Sequence, residues 1–313
     1  MEHQSILLQE AVDGLQINPS GIYIDGTLGR GGHSAYLLAQ IPQGFLYCFD
    51  QDETAIAESL PRLSQIGSNF AIIHRNFVAI KEELANRNIT GVDGMMFDLG
   101  VSSPQFDDGE RGFSYHQDAM LDMRMDRRQS LSAHTIVNTW TYEELVRIFY
   151  LYGEESFAKS IARRIEAVRK ERMIDTTGQL VDVIKEGIPK KFHAGKHPAR
   201  KVFQALRIAV NDELGVLERM LEECLDLLNE GGRMSVITFH SLEDRIVKEA
   251  FLKRSTPPKL PKHVPVTKDQ LETDYLVITK KPLIPSEEEI ARNPRARSAK
   301  LRIIERKRNI RRM

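Results

Sequence analysis

The chain has 313 residues, and its 44 basic and 44 acidic side chains give a formal net charge of zero. This balance excludes a polycation, and 41% apolar with 28% charged residues is typical of a globular protein rather than a disordered or fibrous one. No run approaches the ~20 apolar residues that span a bilayer. The first residues lack a basic segment followed by an apolar stretch, so we expect no secretion signal and a cytoplasmic location.

The first hundred residues alternate short apolar runs with segments of helical spacing. Parallel strands covered by helices are the expected result of such alternation. The predicted strands are residues 22–24, 45–49, 70–73 and 94–97.

The next strand pattern, at residues 234–239, comes more than 130 residues after Asp98. One crossover between parallel strands needs only a few tens of residues, so something is inserted. The inserted sequence is largely helical, with capping boxes at Thr141 and Thr176. We therefore predict a discontinuous α/β domain at residues 1–108 and 211–313, interrupted by a helical domain at residues 109–210. Further strands are expected at residues 275–279 and 301–304.

A glycine-rich loop at residues 25–33 follows the first predicted strand and opens a helix. Glycines let the backbone turn sharply and approach a ligand closely. Asp50 ends the second strand about 20 residues later, where a carboxylate can accept both hydroxyls of a ribose. Strand, loop, helix, strand and acid together predict a nucleotide-type site.

The loop does not match every nucleotide equally well. A dinucleotide fingerprint that starts at Gly29 would need Gly or Ala at its last place, where this chain has Ser34. The spacing Asp25-x-x-x-Gly29-x-Gly31 instead resembles motif I of Rossmann-like methyltransferases.

The fourth predicted strand ends in Asp98, and residues 98–105 read Asp-Leu-Gly-Val-Ser-Ser-Pro-Gln. A polar strand end followed by proline resembles the acidic or Ser-plus-Pro motif of amino-methyltransferases. In doubly wound sheets this segment would stand beside the glycine loop. The alternative is an ordinary turn in which Asp98 caps a neighbouring group.

Together these segments resemble the RsmH (MraW) family, bacterial methyltransferases that act on N4 of a cytidine in the decoding region of 16S rRNA. The motifs that carry the resemblance are residues 25–33, 98–105, 110–114, 121–126, 152–155, 239–245 and 293–298. They follow the family order over nearly the whole chain.

The resemblance implies an α/β fold with a Rossmann-like class I methyltransferase sheet and an inserted helical domain for RNA recognition. It implies S-adenosylmethionine as the methyl donor and 16S rRNA, in the small ribosomal subunit or its assembly intermediate, as the partner. A homodimer is compatible with it, and a membrane or metal site is not expected. The implied donor contacts are Gly31, Gly32, His33, Asp50, Phe77, Asp98 and Gln105.

Two of the strand ends offer candidates for the catalytic chemistry. Asp98 is placed to hold the ammonium of the donor or the amine of the substrate. His240 ends the fifth strand, where it could orient the base or relay a proton. The alternative is that it fixes the turn through Glu243 or Asp244. Methylation at cytosine C5 would need a cysteine nucleophile, and neither Cys48 nor Cys224 lies at a strand end of this site.

Phosphate contacts to RNA are expected from basic side chains, which position the nucleic acid without reading its sequence. Residues 190–201 and 292–312 form two basic stretches in a neutral chain. The candidates for RNA binding are Arg111, Arg124, Arg163, Arg164, Arg295 and Arg297.

Two alternatives remain open from the sequence. The first is an NAD-dependent oxidoreductase, which Ser34 and the segment after the fourth strand disfavour. The second is a non-catalytic RNA-binding protein that retains a donor site.

Overall fold

The structure of the chain is a computed structural model that describes residues 5–100, 108–193, 195, 197–257 and 272–308. The chain divides into two compact units. One, the sheet unit, comprises residues 1–100 and 214–313, and the other, the helical unit, comprises residues 101–213. Each has its own hydrophobic core.

A seven-stranded sheet forms the centre of the sheet unit, in the order β3-β2-β1-β4-β5-β7-β6. The first five strands along the chain pair in parallel, and β7 is antiparallel to both of its neighbours. This mixed sheet confirms the predicted Rossmann-like α/β class. The strands are β1 Ile22–Asp25, β2 Phe45–Asp50, β3 Phe70–His74, β4 Val92–Asp98, β5 Leu228–Thr238, β6 Tyr275–Val277 and β7 Lys300–Arg306.

The central strand β4 is apolar along most of its length because both of its faces are covered. Met95 and Phe97 belong to one buried cluster, and Met96, which points to the opposite face, belongs to another. The helices that accompany the first four strands are α1 Leu8–Asp13, α2 Gly32–Leu38, α3 Glu53–Ser64 and α4 Ile80–Asn86.

The helical unit follows β4 and has a core of aliphatic and aromatic side chains that includes Phe149, Ile165 and Leu206. The capping box at Thr141 is present, with Glu144 bonded to the Thr141 amide. The helices of this unit are α5 Ala133–Thr139, α6 Tyr142–Leu151, α7 Ala158–Glu171, α8 Thr177–Glu186 and α9 Arg200–Asn211.

The chain then returns to the sheet unit through α10 Glu213–Cys224, and α11 Ser241–Ser255 and α12 Glu287–Arg292 accompany the last strands. The core side of α10 places Leu217 and Met220 in the same cluster as Met95 of β4. Among the described residues, no helix combines the length and apolar character needed to cross a membrane.

Candidate active site

Three neighbouring parallel strands each end in an aspartate: Asp25 on β1, Asp50 on β2 and Asp98 on β4. Because β1 pairs in parallel with both β2 and β4, the three carboxyl ends meet at one edge of the sheet. Ligands of doubly wound sheets bind at this edge. The glycine loop is joined directly to β4, since the Asp98 amide donates to Thr27 Oγ1 at 2.6 Å. The loop and the end of β4 are therefore in contact.

Two carboxylates shape the glycine loop. Asp25 is fully buried and accepts hydrogen bonds from the Thr27 amide at 3.0 Å and from Ser34 Oγ at 2.5 Å. Burial raises the pKa of Asp25 to about 6, although both hydrogen bonds act to lower it. Asp50 accepts from the Gly29 amide at 2.8 Å. The Asp25 carboxyl is thus used within the fold, to join β1 to α2.

Gly31 provides the turn into α2. It is the N-cap residue and has φ = +71°, a left-handed conformation that a side chain disfavours. Its amide donates to the Leu28 carbonyl oxygen at 2.8 Å, which closes the loop on itself. At Gly32, the first residue of α2, a Cβ atom would come within 1.9 Å of Ser5 Oγ. Both glycines therefore permit close backbone packing at this edge.

His33 lies on the first turn of α2 and is only 5% exposed. Its Nε2 is 3.0 Å from the Ile6 carbonyl oxygen, and because a carbonyl only accepts, Nε2 carries the proton. The other ring nitrogen, Nδ1, lies 3.8 Å from Asp98 Oδ2. His33 is therefore fixed by the backbone and directs Nδ1 towards the end of β4.

The Asp98 carboxyl is the most perturbed group at this edge. Its side chain is 27% exposed, yet Oδ1 is buried and has no hydrogen-bond partner within the described part of the chain. Burial, followed by the negative charges of Asp25 and Glu243, raises the pKa of Asp98 to about 8. Buried acceptors normally have a partner. An acceptor without one, surrounded by acids, fits a ligand that brings a cationic N–H group.

Asp50 is suited to a different kind of ligand group. Its Oδ1 accepts from the Asp52 amide at 2.9 Å, and its Oδ2 accepts from the Gly29 amide. The Gln51 amide also interacts with this carboxylate, which has about four acceptor sites, so a ligand hydroxyl group fits as a further donor. Burial raises the pKa of Asp50 to about 6, against the lowering effect of these amides.

Phe77 and Gln105 complete the predicted donor contacts. Phe77 begins a short 3₁₀ turn, Phe77–Ala79, and its partly buried ring packs edge-on against Phe97 of β4 with 5.7 Å between centroids. A Cβ atom at Gly26 of the loop would lie 3.3 Å from Phe77 Cβ, so the ring is close to the start of the loop. Gln105 lies outside the described residues.

His240 follows β5 and caps α11. Its Nδ1 accepts from the Glu243 amide at 3.5 Å, and its Nε2 lies 3.1 Å from Glu243 Oε1. Glu243 is buried and also accepts from the Phe239 amide at 2.8 Å. Both ring nitrogens therefore face Glu243. Nδ1 therefore fixes the turn, whereas Nε2 is buried and makes no hydrogen bond to the described residues, so a role of His240 towards a substrate stays a prediction.

The predicted RNA contacts Arg111 and Arg124 are both used within the helical unit. Arg111 is 4% exposed, and its guanidinium donates to the Arg124 and Met125 carbonyl oxygens. Arg124 pairs with Asp122 at 2.6 Å and donates to the Arg127 and Gln129 carbonyl oxygens. Burial withdraws Arg111 from any phosphate, and the guanidinium of Arg124 is already bonded to Asp122 and to two carbonyl oxygens, so we carry neither forward as an RNA contact.

The other four predicted arginines lie at the surface. Arg163 lies over the Tyr142 ring at 5.9 Å, and Arg164 pairs with Glu186 on α8. Arg295 and Arg297 are exposed in the 3₁₀ turn Pro294–Ser298 of the sheet unit.

Three residues that shape the site were not singled out from the sequence. Thr27 lies inside the predicted loop, but its bond to β4 depends on strand order. Ser34 was noted only as a mismatch to the dinucleotide fingerprint, whereas its hydroxyl serves Asp25. Glu243 was considered only as a partner of His240, yet its charge also acts on Asp98.

Comparison with known proteins gives the family. A model of the MraW methylase family matches residues 1–307. The chain belongs to the MraW methylase family. Its activity is therefore methyl transfer, with S-adenosylmethionine as the methyl donor, and the oxidoreductase alternative loses its support. The family resemblance inferred from the sequence is confirmed.

Solved structures of other methyltransferases are also similar to this MraW family member. An rRNA methylase from Streptococcus thermophilus is 13% identical, with 96% of this chain and 93% of that chain covered and a TM-score of 0.41. SMU.1697c, a putative methyltransferase from Streptococcus mutans in complex with SAH, is 14% identical, with 97% and 99% covered and a TM-score of 0.42. At these identities and TM-scores, neither likeness bears on the substrate.

Proposed function

We propose that this chain transfers the methyl group of S-adenosylmethionine to the N4 exocyclic amine of a cytidine in 16S rRNA, within the small ribosomal subunit or its assembly intermediate. The observation that carries the proposal is the Asp98 carboxyl at the end of β4, whose buried Oδ1 has no hydrogen-bond partner among the described residues. An amine is a hydrogen-bond donor of the kind that this oxygen lacks. The family membership supports methyl transfer from S-adenosylmethionine. The N4 acceptor and 16S rRNA are what the resemblance of the motifs implies.

The residues of the site fit the donor. When bound, S-adenosylmethionine supplies a methyl group on a positively charged sulfur, which is a good leaving group. In our proposal the carboxylates of Asp98 and Glu243 favour this positive charge, and Asp50 accepts from the ribose hydroxyls. Gly31, Gly32 and His33 shape the loop around the amino-acid part, and Phe77 packs against the adenine. Gln105 is retained as a proposed contact by the family resemblance alone.

The role proposed for Asp98 in the reaction is to hold and accept a proton. The N4 lone pair of cytosine is delocalised into the ring, so an acceptor for the amino protons helps the nitrogen to become nucleophilic. Once N4 is bonded to the methyl carbon, it must lose one proton. With its pKa raised to about 8, Asp98 is a stronger base than an ordinary carboxylate once it is ionised, and the positive charge of the bound donor favours the ionised form.

The chemistry of the cysteines supports N4 rather than C5 as the acceptor. The chain has two cysteines, Cys48 and Cys224, and both are buried. Burial raises the pKa of Cys48 well above its ordinary value and that of Cys224 to about 12. Both remain protonated thiols near neutral pH, whereas addition to the cytosine ring needs a thiolate.

RNA recognition is proposed for the helical unit, predicted at residues 109–210 and observed as a compact unit at residues 101–213. Arg163 and Arg164 are its proposed phosphate contacts from the predicted set. On the sheet unit, Arg295 and Arg297 are proposed to add further contacts.

The experiment combines donor binding with analysis of the product. Small subunits lacking the modification are incubated with S-adenosylmethionine and either the unaltered protein or Asp98→Asn, and their nucleosides are separated by liquid chromatography and mass spectrometry. We expect the unaltered protein to form N4-methylcytidine. The rate with Asp98→Asn should be lower by at least about 10²-fold, because the amide cannot accept the proton. The exposed Asp182→Asn serves as a charge-matched control and should retain full activity.

Three results would contradict the proposal or part of it. Methylation at a different nucleotide or atom would disprove the N4 assignment. Donor binding without any transfer to RNA would favour the non-catalytic alternative. Full activity of Asp98→Asn would remove this residue from the reaction.

A further inference from the structure

Residues 190–201 of the helical unit contain five lysine or arginine side chains, two histidines and no acid. None of the predicted RNA contacts lies in this segment. It begins with a short 3₁₀ turn, Lys190–Phe192, that has no buried residue. A local excess of positive charge in a neutral chain favours an anionic partner.

A stack of rings accompanies this charge. The Tyr115 ring lies on the His197 ring with 4.5 Å between centroids and 13° between planes. His116, which is exposed, lies 4.5 Å from Tyr115 and 5.6 Å from His197. Phe203 of the core supports Tyr115 edge-on at 5.6 Å. The stack is therefore anchored in the core at one end and reaches solvent at the other.

A second ring at the surface belongs to Phe192, which is 50% exposed. It contacts the Phe157 ring at 5.0 Å, and Lys191 Nζ lies 5.1 Å from its centroid. Phe192 is five residues from His197, so the two rings are attached to backbone positions at most about 18 Å apart. A few nucleotides of a single strand cover that distance.

The charge state of the stack matches this use. Burial lowers the pKa of His197, and the charges of His116 and of Lys185 on α8 lower it further. The lowered pKa favours the neutral form of the His197 ring, on which the charge of Lys185 acts. The ammonium groups of Lys190 and Lys191 precede His197 in the chain by seven and six residues. Flat neutral rings can stack on nucleotide bases, and ammonium groups can form ion pairs with phosphates.

We propose that the surface formed by Tyr115, His116, Lys190, Lys191, Phe192 and His197, named here the stacking surface, binds single-stranded RNA. Unpaired bases stack on its rings, and the lysines contact the phosphates. Only an unpaired base exposes its face to such a ring, so a duplex does not fit. The inference rests on the proposed function in one respect, that the substrate is RNA, and it identifies the surface of the helical unit that holds the RNA.

The test measures RNA affinity by fluorescence anisotropy with a labelled single-stranded RNA of about 12 nucleotides, a length that such surfaces cover. His116→Ala/Phe192→Ala removes two exposed rings, and Lys190→Ala/Lys191→Ala removes two exposed charges. Lys81→Ala/Lys253→Ala is the control, because it removes two exposed lysines from α4 and α11 of the sheet unit. Circular dichroism checks that each variant is folded.

We expect the ring variant to bind at least about fivefold more weakly. The lysine variant should reduce the slope of log affinity against log salt by about 1.4, since each phosphate contact to a single strand contributes ~0.7. The control should match the unaltered protein, and the corresponding RNA duplex should bind more weakly than the single strand. Unchanged affinity of the ring variant, or equal binding of duplex and single strand, would overturn the stacking surface.

Product analysis distinguishes this inference from the proposed function. If N4-methylcytidine is formed and the ring variant keeps both the affinity and the KM for RNA, the stacking surface is wrong and the function stands. If the ring variant loses affinity but the unaltered protein forms no N4-methylcytidine, the function is wrong and the surface stands. If the unaltered protein binds no single-stranded RNA, the inference is overturned.

Discussion

Asp98 shows how a single side chain can be unfavourable for folding and useful for function. Its Oδ1 has lost water without gaining a hydrogen bond from the described residues, and Asp25 and Glu243 add negative charge nearby. Such an arrangement makes ionisation costly in the folded protein. The same arrangement attracts a cation and makes the carboxylate a stronger base. Stability at this position is exchanged for binding and chemistry, as is common at active sites.

This cost makes the stability of the protein depend on pH. The folded pKa of Asp98, about 8, lies above the unfolded value near 4, so the folded state binds more protons between them. Stability is therefore highest at low pH as far as this group is concerned, and it is lost as pH rises from about 4 to about 8. We expect Asp98→Asn to be more stable than the unaltered protein above about pH 7, by on the order of a few kcal/mol.

Urea unfolding at a series of pH values measures this difference. The gap in unfolding free energy between Asp98→Asn and the unaltered protein should widen from about pH 4 to about pH 8 and then stay constant. Asp182→Asn, at an exposed position of α8, should follow the unaltered protein at every pH. Parallel curves for Asp98→Asn and the unaltered protein would show that Asp98 ionises normally.

For single residues, the sequence predicted where charged groups occur along the chain but not which of them are buried. Asp98 and Asp50 were identified because they end apolar runs, a local signal. Arg111 was expected at the surface, where arginines usually lie. Its guanidinium instead donates hydrogen bonds to two carbonyl oxygens inside the helical unit. The stack of Tyr115 on His197 joins distant parts of the chain, and no local pattern predicts it.

Helices and strands were predictable wherever their signals were local. The runs at residues 22–24, 45–49, 70–73 and 94–97 all became strands, because apolar β-favouring segments between helical patterns suit a parallel sheet. The capping box of Thr141 formed as predicted. At Thr176 the side chain does accept from the Gln179 amide, but the Gln179 side chain accepts from the Asp175 amide instead of the N-cap amide. The amide that the Gln179 side chain reaches depends on the path of the chain before the helix.

The N-cap of α6 provides a test of how much such a local signal contributes to stability. Thr141→Ala removes the hydroxyl that accepts from the Glu144 amide, so a donor of the first turn loses its partner. We expect the unfolding free energy of the helical unit to fall by about 1 kcal/mol, measured by urea titration. Thr139→Ala is the control, because the Thr139 hydroxyl is exposed and donates only to the Thr135 carbonyl oxygen of its own helix. An equal loss in both variants would show that the cap contributes nothing specific.

The molecule as a whole consists of two separately packed units. The long gap between β4 and β5 predicted an inserted segment from arithmetic alone, and α5–α9 occupy it. The exact bounds differ from the prediction, since the helical unit is residues 101–213 rather than 109–210. Composition changes little at these junctions, so the sequence has no sharp signal there. Each core is built from its own residues.

Separate cores predict separable stabilities. Ile165 is fully buried in the helical unit, and Ile165→Ala should lower the stability of that unit by about 2–5 kcal/mol. The one tryptophan of the chain, Trp140, packs against the same core and reports its unfolding by fluorescence. We expect the urea midpoint seen by Trp140 to fall, while the affinity for S-adenosylmethionine, measured by calorimetry, stays unchanged. Leu46→Ala, in the buried part of β2, should instead leave the urea midpoint seen by Trp140 unchanged and weaken the binding of S-adenosylmethionine. Loss of donor binding in Ile165→Ala would show that the donor site depends on the helical core.

The position of β7 has a consequence for synthesis of the chain. Among the described strands it is the last in sequence, yet it lies inside the sheet, bonded to β5 on one side and to β6 on the other. A growing polypeptide therefore carries an open edge on β5, with unpaired N–H and C=O groups, until residues 300–306 have left the ribosome. Open edges of this kind invite pairing with other chains. We therefore expect aggregation to compete with completion of the sheet in nascent chains, and early termination to leave them with this open edge.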